Sequence, residues 1–284
     1  MSNITTQKHI IEDVSSVEYI TGALRDISAI ELQGLRERYT RNELFYADLR
    51  NLHQLVWRIA ETTGKNDLFV TKNKGSLFVA YTTNKHFYGS LNYDVMQAFI
   101  KATTSKDACL ILGGTGKEIW RGATKKRKET TFLSFKDDAP DSDEIRGFLE
   151  RISAYAHVHI WYPGFVSMYE QSATTIDITF RPERIKDTPH LKEELPQYFL
   201  EPDLEQMFAF FTTQVRYILF ERVLLETQLS RVAARLVKMD TADHNAIDML
   251  KREYREMRRA RNSFSSSRML ETLVGYIQWH NTTT

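Results

Sequence analysis

From residue 203 to residue 274 the chain contains neither glycine nor proline, and its apolar side chains keep a steady step. Val215, Ile218, Leu225, Leu229, Val232, Leu236, Met239, Ala246 and Leu250 follow a 4-3 spacing that only Arg222 and Asp243 interrupt. A repeat of 3.5 residues is that of a coiled-coil seam. At about 1.5 Å of rise per residue, an unbroken helix over this stretch extends on the order of 108 Å, so it needs a partner along its length. The first 60 residues supply one. Val14, Val17, Ile20, Leu24 and Ile27 keep helical spacing, and Leu49, Leu52, Leu55, Val56 and Ile59 resume it. Gly22 and Gly34 weaken this helix without ending it, each by about 1 kcal/mol against alanine. Thr62, Thr63 and Gly64 read as its stop. Winding the two helices together, antiparallel, buries both stripes, and a leucine-sized side chain contributes roughly 1.5–3 kcal/mol when buried.

Between the helices the pattern changes to short apolar runs broken by turns. Residues 76–81, 108–112, 130–135, 158–162 and 174–180 read as strands. Residues 93–101 and 144–155 read as helices, the second capped by Ser142 or Asp143, and residues 113–116 read as a turn. Strand and helix alternate, which indicates a small α/β sheet domain. Residues 182–202, with Pro182, Pro189, Pro196 and Pro202 among clustered charges, read as a connector. The expected fold is therefore of the α/β class: a long antiparallel coiled coil of N- and C-terminal helices (residues 1–63 and 203–284) with an inserted Rossmann-like α/β domain and connector (residues 64–202).

Composition changes this picture little. With 42% apolar and 26% charged residues and a formal net charge of +1, the chain is that of an ordinary soluble protein. So small a net charge argues against a general nucleic-acid binder. The single cysteine, Cys109, excludes an internal disulfide and suits a reducing compartment. No run approaches 18 apolar residues and the N-terminus lacks a secretory pattern, so no direct membrane span is expected.

The chemical motifs of the central domain are weak. Gly113-Gly114-Thr115-Gly116-Lys117 invites comparison with a phosphate-binding loop. That motif, however, needs glycine where Ile111 stands and Ser or Thr where Glu118 stands. Residues 83–89 hold one glycine where a dinucleotide fingerprint needs several. No cofactor is expected. His157 and His159 share one face of a strand, but no third ligand is evident for a metal. Asp137, Asp138, Asp141, Asp143 and Glu144 lack the alternating ligands of a calcium loop and suit a solvated turn with a helix cap. Lys125-Lys126-Arg127-Lys128 reads as an exposed basic loop. No catalytic constellation stands out, and the chain is not expected to be an enzyme.

One charged feature exceeds this background. From residue 245 to residue 268 the long helix carries Lys251, Arg252, Arg255, Arg258, Arg259, Arg261 and Arg268 against Asp248, Glu253 and Glu256, a local net of +4. Two readings stay open: a solvated face with internal Glu/Arg pairs, or a surface for an acidic partner.

Several segments, in order along the chain, resemble one family. Met239-Asp240-Thr241-Ala242-Asp243-His244-Asn245-Ala246 is similar to the Met-x-x-Ala-x-x-Asn-Ala segment of the gamma subunit of F-type ATP synthases. Arg261-Asn262, Ser265-Ser266, Glu271 and Gly275 follow in register where that family has Arg-Gln, Ile-Thr, Glu and Gly. Ile20-Thr21-Gly22-Ala23-Leu24 resembles Ile-Thr-x-Ala-Met, with Leu32 matching the leucine that follows. Residues 83–92, keeping Gly89 and Asn92, resemble the loop Ser-Asp-x-Gly-Leu-Cys-Gly-x-x-Asn, and residues 162–167 resemble Tyr-Asn-x-Phe-x-Ser.

The resemblance implies a central-stalk rotor, coupling ion-driven rotation to ATP synthesis or hydrolysis. Its partners would be ATPase alpha- and beta-type subunits, an epsilon-type subunit and the membrane ring, with no nucleic acid. Its place would be peripheral, on the cytoplasmic side of a bacterial membrane. Ile20, Thr21, Met239, Asn245, Arg258, Arg261, Asn262 and Ser266 would meet the stator, and the loop with Asn84, Lys85, Gly89 and Asn92 would lie on the membrane-ring side. The chain departs from the family at His86, Phe87 and Tyr88, at Arg268 where glutamate is usual, at Asn262 for glutamine and at Arg258 for asparagine. These departures leave open a standard synthase and a variant ATPase with altered contacts. The competing reading is a coiled-coil scaffold with a basic tip that binds an acidic protein or nucleic acid. It accounts for the helices and charges but not for the ordered motifs.

Overall fold

A computed structural model describes residues 2–62, 75–84, 88–104, 107–123, 130–136, 140–179 and 203–282. Ten elements follow one another: α1 (Ser2–Thr62), β1 (Ser76–Tyr81), α2 (Leu91–Ala102), β2 (Ala108–Leu112), α3 (Gly114–Gly122), β3 (Thr130–Leu133), α4 (Ser142–Ile152), β4 (His157–Phe165), β5 (Gln171–Asp177) and α5 (Leu204–Thr282). They form two compact units, Ile30–Arg235 and Met1–Ala29 with Leu236–Thr284. The expected connector, residues 182–202, and the basic loop, residues 125–128, lie outside the described residues.

In the unit Ile30–Arg235 the strands form one sheet in the order β3-β2-β1-β4-β5. β1 pairs in parallel with β2 and β4, β2 in parallel with β3, and β5 runs antiparallel to β4. Alternation along β1 explains the layers, because successive side chains point to opposite faces. Leu77, Val79 and Tyr81 join Leu110, Leu112, Val158, Ile160 and Tyr162 against α4 and the Val215–Leu224 part of α5. Ala80, with Cys109, Ile111 and Trp161, packs on Val95, Met96 and Phe99 of α2. Burial on both faces is what a parallel sheet requires. Phe148 and Phe220, rings 4.5 Å apart, tie α4 to α5. Pro163, which has no amide to donate, sits where β4 has run beyond β1 and pairs only with β5, opposite Ala173.

Three local expectations are corrected. Residues 113–116, read as a turn, open helix α3, with Gly113 itself as the bend at φ 96°. The cap of α4 is Asp141, not Ser142 or Asp143: its carboxylate accepts from the amides of Asp143 and Glu144, and Glu144 accepts in return from the Asp141 amide. Helix α2 starts at Leu91, two residues before the apolar rhythm announces it.

In this unit α1 and α5 run antiparallel, since partners descend α5 as they ascend α1. Glu31 takes a hydrogen bond from Arg235, Glu43 from Arg222 at 3.1 Å, and Asn42 donates to Glu221 at 3.4 Å. Arg222, the first break in the heptad pattern, also lies over the rings of Tyr39 and Tyr46. The seam on α1 falls on Leu32, Leu35, Tyr39, Asn42, Tyr46 and Leu49, which keep a 3-4 step, and on Val56 one heptad further, all at buried or half-buried positions.

The second unit, Met1–Ala29 with Leu236–Thr284, is an antiparallel helix pair of its own. Gln7 donates to Glu253 at 2.8 Å, and Arg25 donates to Asp243. The α5 side of this seam is the expected one: Leu236, Met239, Asp243, Ala246 and Leu250 are buried or half-buried. The α1 side is not. Val17, Ile20, Leu24 and Ile27, expected in the seam, are 51%, 55%, 37% and 50% exposed. Val14, also expected there, is in the seam, which continues not along that stripe but through Ile11, Glu18, Thr21, Arg25 and Ser28. Two stripes with the same period lie side by side on α1. The one that carries a cation and two small hydroxyls faces Asp243, because a buried carboxylate needs such partners and an apolar stripe has none.

Candidate partner-contact surfaces

At the carboxyl ends of β1 and β2, where open α/β sheets commonly hold ligands, the residues after β1 close the sheet on itself. Thr82 Oγ1 donates to the Leu112 carbonyl at 2.6 Å and accepts from the Gly116 amide at 3.0 Å. The Thr83 carbonyl accepts from the Thr115 amide at 3.0 Å. Asn84 Oδ1 accepts from the Gly114 amide at 2.8 Å and from Ser134 Oγ at 2.9 Å, while Asn84 Nδ2 donates to the Phe135 carbonyl at 2.9 Å. The first amides of α3, the groups with which a phosphate-binding loop would hold its anion, are thus bonded to residues 82–84. A side chain on Gly113 would lie 2.5 Å from the Thr82 carbonyl, so only glycine admits this close approach.

Asn92 belongs to the same bracket. Its side chain is buried, accepting from the Thr83 amide at 3.2 Å and donating to Thr83 Oγ1 at 2.7 Å. Of the four loop residues singled out from sequence, Asn84 and Asn92 are thus engaged internally, Gly89 is exposed, and Lys85 lies outside the described residues.

On the far side of the sheet the β4–β5 hairpin is braced from α5. Glu226 accepts from Tyr162 Oη at 2.9 Å and from the Phe165 amide at 3.3 Å. Burial, then the adjacent Glu226 carboxylate, push the Tyr162 phenol above the ordinary tyrosine range. The hairpin tip is internally bonded, Ser167 N to the Glu170 carbonyl at 2.9 Å, yet presents Val166 and Tyr169 to solvent, the latter 82% exposed. His157 and His159 stack 6.2 Å apart at the start of β4, and His157 Nδ1 meets Asp177 Oδ2 at 3.1 Å. Among the described residues no group of three or more His, Cys, Asp or Glu is placed to hold a metal.

In the helix-pair unit the residues singled out from sequence divide by face. Ile20 points outward with Val17, Leu24 and Ile27, whereas Thr21 is buried and donates to the Val17 carbonyl at 2.9 Å. Met239 is half-buried in the seam and Asn245 is exposed. Arg258, Arg261, Asn262 and Ser266 are exposed, and residues 261–279 of α5 are exposed without a break. Lys251 pairs with Asp248 at 3.0 Å and Arg259 with Glu256 at 2.9 Å, within the helix. Arg258, Arg261 and Arg268 have no ion pair among the described residues. The basic face is therefore part internal pairing and part unneutralised charge.

Sequence reading missed the exposure of the Val17–Ile27 stripe, because spacing alone does not say which of two apolar registers meets the partner. It also passed over Met269, Leu270, Leu273, Val274, Ile277 and Trp279, all exposed at the end of α5. Their signal was a dense apolar run continuing beyond the charged residues. Among the described residues no helix is long and apolar enough to cross a membrane.

Comparison with known proteins agrees with this architecture. The ATP synthase gamma chain of Geotalea daltonii is 24% identical over 290 aligned positions, covering 97% of this chain and 98% of the relative. That of Clostridium acetobutylicum is 23% identical, covering 94% and 95%. Among solved structures, a chain of the Euglena gracilis mitochondrial ATP synthase (OSCP/F1/c-ring, rotational state 3) superposes with a TM-score of 0.67 at 14% identity, covering 100% of this chain and 96% of that one. A chain of the Tetrahymena thermophila mitochondrial ATP synthase (central stalk/c-ring) superposes with a TM-score of 0.56 at 16% identity, covering 78% and 99%. The sequence pattern of the ATP synthase family matches residues 3–264. With that match over nearly the whole length and gamma chains as its full-length relatives, the chain belongs to the gamma-subunit family of ATP synthases.

Proposed function

We propose that the chain is the non-catalytic central-stalk rotor of an F-type ATP synthase or ATPase, turning against alpha- and beta-type subunits and joined to an epsilon-type subunit and a membrane ring. On this reading it is peripheral, on the cytoplasmic side of a bacterial membrane. The supporting observation is the helix-pair unit itself: a seam closed by the Arg25–Asp243 pair, with an apolar stripe and an incompletely neutralised basic face left outside.

A rotor has to transmit torque between its two helices and slide against its stator. Ion pairs and hydrogen bonds across the seam have directional geometry, so they resist the displacement of one helix along the other. On the outer face, Ile20, Asn245, Arg258, Arg261, Asn262 and Ser266 supply the stator contact, with Thr21 and Met239 behind them in the seam. Charge acts over a Debye length of about 8 Å and tolerates sliding better than interlocked apolar knobs. Among the described residues of the loop assigned to the membrane-ring side, Gly89 is exposed, and Asn84 and Asn92 are bonded inward at its two ends.

The test is co-purification from the native host. A tagged chain should bring down alpha- and beta-type ATPase subunits in one multi-subunit particle. Recovery as a lone homodimer that shifts labelled DNA would sink the rotor reading and favour the scaffold.

A further inference from the structure

A heptad seam nearly repeats itself under a shift of seven residues, so apolar contact alone discriminates poorly between neighbouring registers. In this chain the ambiguity is concrete. Leu32, Tyr39 and Tyr46 recur every seven residues on α1, as do Leu225, Val232 and Met239 on α5. Sliding one helix along the other by a heptad, about 10 Å, lays apolar positions on apolar positions again.

Three ion pairs across the seams break that symmetry. In the sheet unit Arg222 donates to Glu43 at 3.1 Å and Arg235 donates to Glu31, and in the helix-pair unit Arg25 donates to Asp243. In each pair the α5 side chain is the more shielded one, 26% exposed for Arg222, 22% for Arg235 and 6% for Asp243. Charges so placed are screened less by salt than surface charges, so a register that offers them a wrong partner is penalised more heavily.

The residues one heptad to either side on α1 are wrong partners. Moved seven residues toward the C-terminus of α1, Arg222 meets Arg50, Arg235 meets Arg38 and Asp243 meets Leu32. Moved seven the other way, Arg222 meets Arg36, Asp243 meets Glu18 and Arg235 meets Leu24. Neither alignment keeps any of the three pairs. Each sets two of the α5 charges against a like charge and leaves the third on a leucine. Because α1 (Ser2–Thr62) and α5 (Leu204–Thr282) are single helices, one slip displaces all three pairs together.

We infer that Arg25, Glu31 and Glu43, facing Asp243, Arg235 and Arg222, are an axial register lock, and that the like charges flanking them on α1 bar the two nearest alignments. Complementary charges specify register at a heptad interface in this way, by penalising the competing alignments as well as favouring one. A helix pair loaded along its axis needs such a lock, since its apolar rows match again after each step of one repeat. On the rotor reading the load is torque, but the lock operates in the chain by itself.

The experiment is double electron–electron resonance on the full chain, spin-labelled at Ser16→Cys and Thr272→Cys, both exposed positions, with the buried Cys109 left unlabelled. A slip of one heptad changes the distance between the labels by about 10 Å, shorter or longer with its direction. The natural pattern should give one distance, and several would overturn the proposal. Moving the lock by one repeat, with Arg25→Leu, Leu32→Arg, Glu31→Arg, Arg38→Glu, Glu43→Arg and Arg50→Glu, leaves the composition unchanged and should shorten the main distance by about 10 Å. A folded chain of that pattern with the natural distance would overturn the lock. Should it fail to fold, Arg25→Gln with Glu31→Gln and Glu43→Gln decides. Removing the charges should raise the slipped populations at least tenfold over the natural chain, and a single unchanged distance would again overturn the proposal.

Discussion

Arg25 of α1 donates to Asp243 of α5, and the two ends of this pair sit in different surroundings: the carboxylate side chain is 6% exposed, the guanidinium 33%. Arg25 also reaches Asp26 at 3.1 Å, so it retains a partner without Asp243. Asp243 has no such alternative among the described residues. Arg25→Ala should therefore destabilise more than Asp243→Ala, because it strands a buried carboxylate without its cation. Urea denaturation of the three chains checks the order. Replacing both residues, Arg25→Met with Asp243→Leu, should recover most of the loss, and equal effects of the two single variants would contradict the asymmetry.

Tyr162 and Glu226 make a second, independent test. Tyr162 is nearly fully buried, and its hydroxyl donates to a carboxylate, so Tyr162→Phe should cost about 1.5–3 kcal/mol. Burial and Glu226 raise the phenol pKa. The stability that this group contributes is complete below the unfolded value near pH 10 and is lost as pH rises toward the folded value. Burial raises the phenols of Tyr39 and Tyr46 as well, so absorbance at 295 nm in an alkaline titration should show a late group of tyrosines, and Tyr162→Phe should reduce the amplitude of the step that accompanies unfolding by one phenol. Gly164, two residues on, admits no side chain: a Cβ there would fall 2.1 Å from Thr174 Oγ1 across the hairpin. Gly164→Ala should destabilise by about 1–3 kcal/mol, read from a thermal melt.

At the acid end, Asp177 is the group to follow. Burial raises its pKa, but the hydrogen bonds from Thr179, followed by that from His157, outweigh burial and leave it below the usual carboxylate range. Its contribution is complete above the unfolded value of about 3.9 and disappears as pH falls through the lower folded value. Denaturation at pH 7 should find Asp177→Asn less stable than the natural chain, and the gap should close below about pH 4. A gap that stays constant with pH would mean that the side chain acts by shape and not by charge.

The sequence made the long helices, the strand–helix alternation and the class of the fold legible, because each rests on periods that side-chain direction imposes. It was less informative wherever two patterns competed. Val17, Ile20, Leu24 and Ile27 are a better apolar stripe than Thr21, Arg25 and Ser28, and only the placement of Asp243 decides for the polar one. Gly113 to Gly116 resembled a turn because glycine is common in turns; a helix begins there because residues 82–84 bind its first amides.

The exposed face of the helix pair offers the prediction closest to function. Ile20 and Ile27 are half exposed on the outer side of the pair, and Arg258 and Arg261 have no ion pair among the described residues, so altering any of the four should leave the fold unchanged. Exposed charges contribute little to stability, about 0–1 kcal/mol even when paired. On the proposed rotor reading these positions would nonetheless meet the stator. Arg258→Ala with Arg261→Ala should lower the coupling of ATP hydrolysis to ion pumping while the melting curve and subunit assembly stay as before. Ile20→Asp with Ile27→Asp should do the same through the apolar stripe, since a carboxylate pressed against an apolar stator wall would have to be desolvated. The measurement is ATP-driven ion uptake per ATP hydrolysed, in vesicles carrying the assembled complex. If both pairs leave that ratio untouched, the outer face is not the surface through which the shaft works. If only the arginine pair lowers it, charge and not apolar contact carries the load.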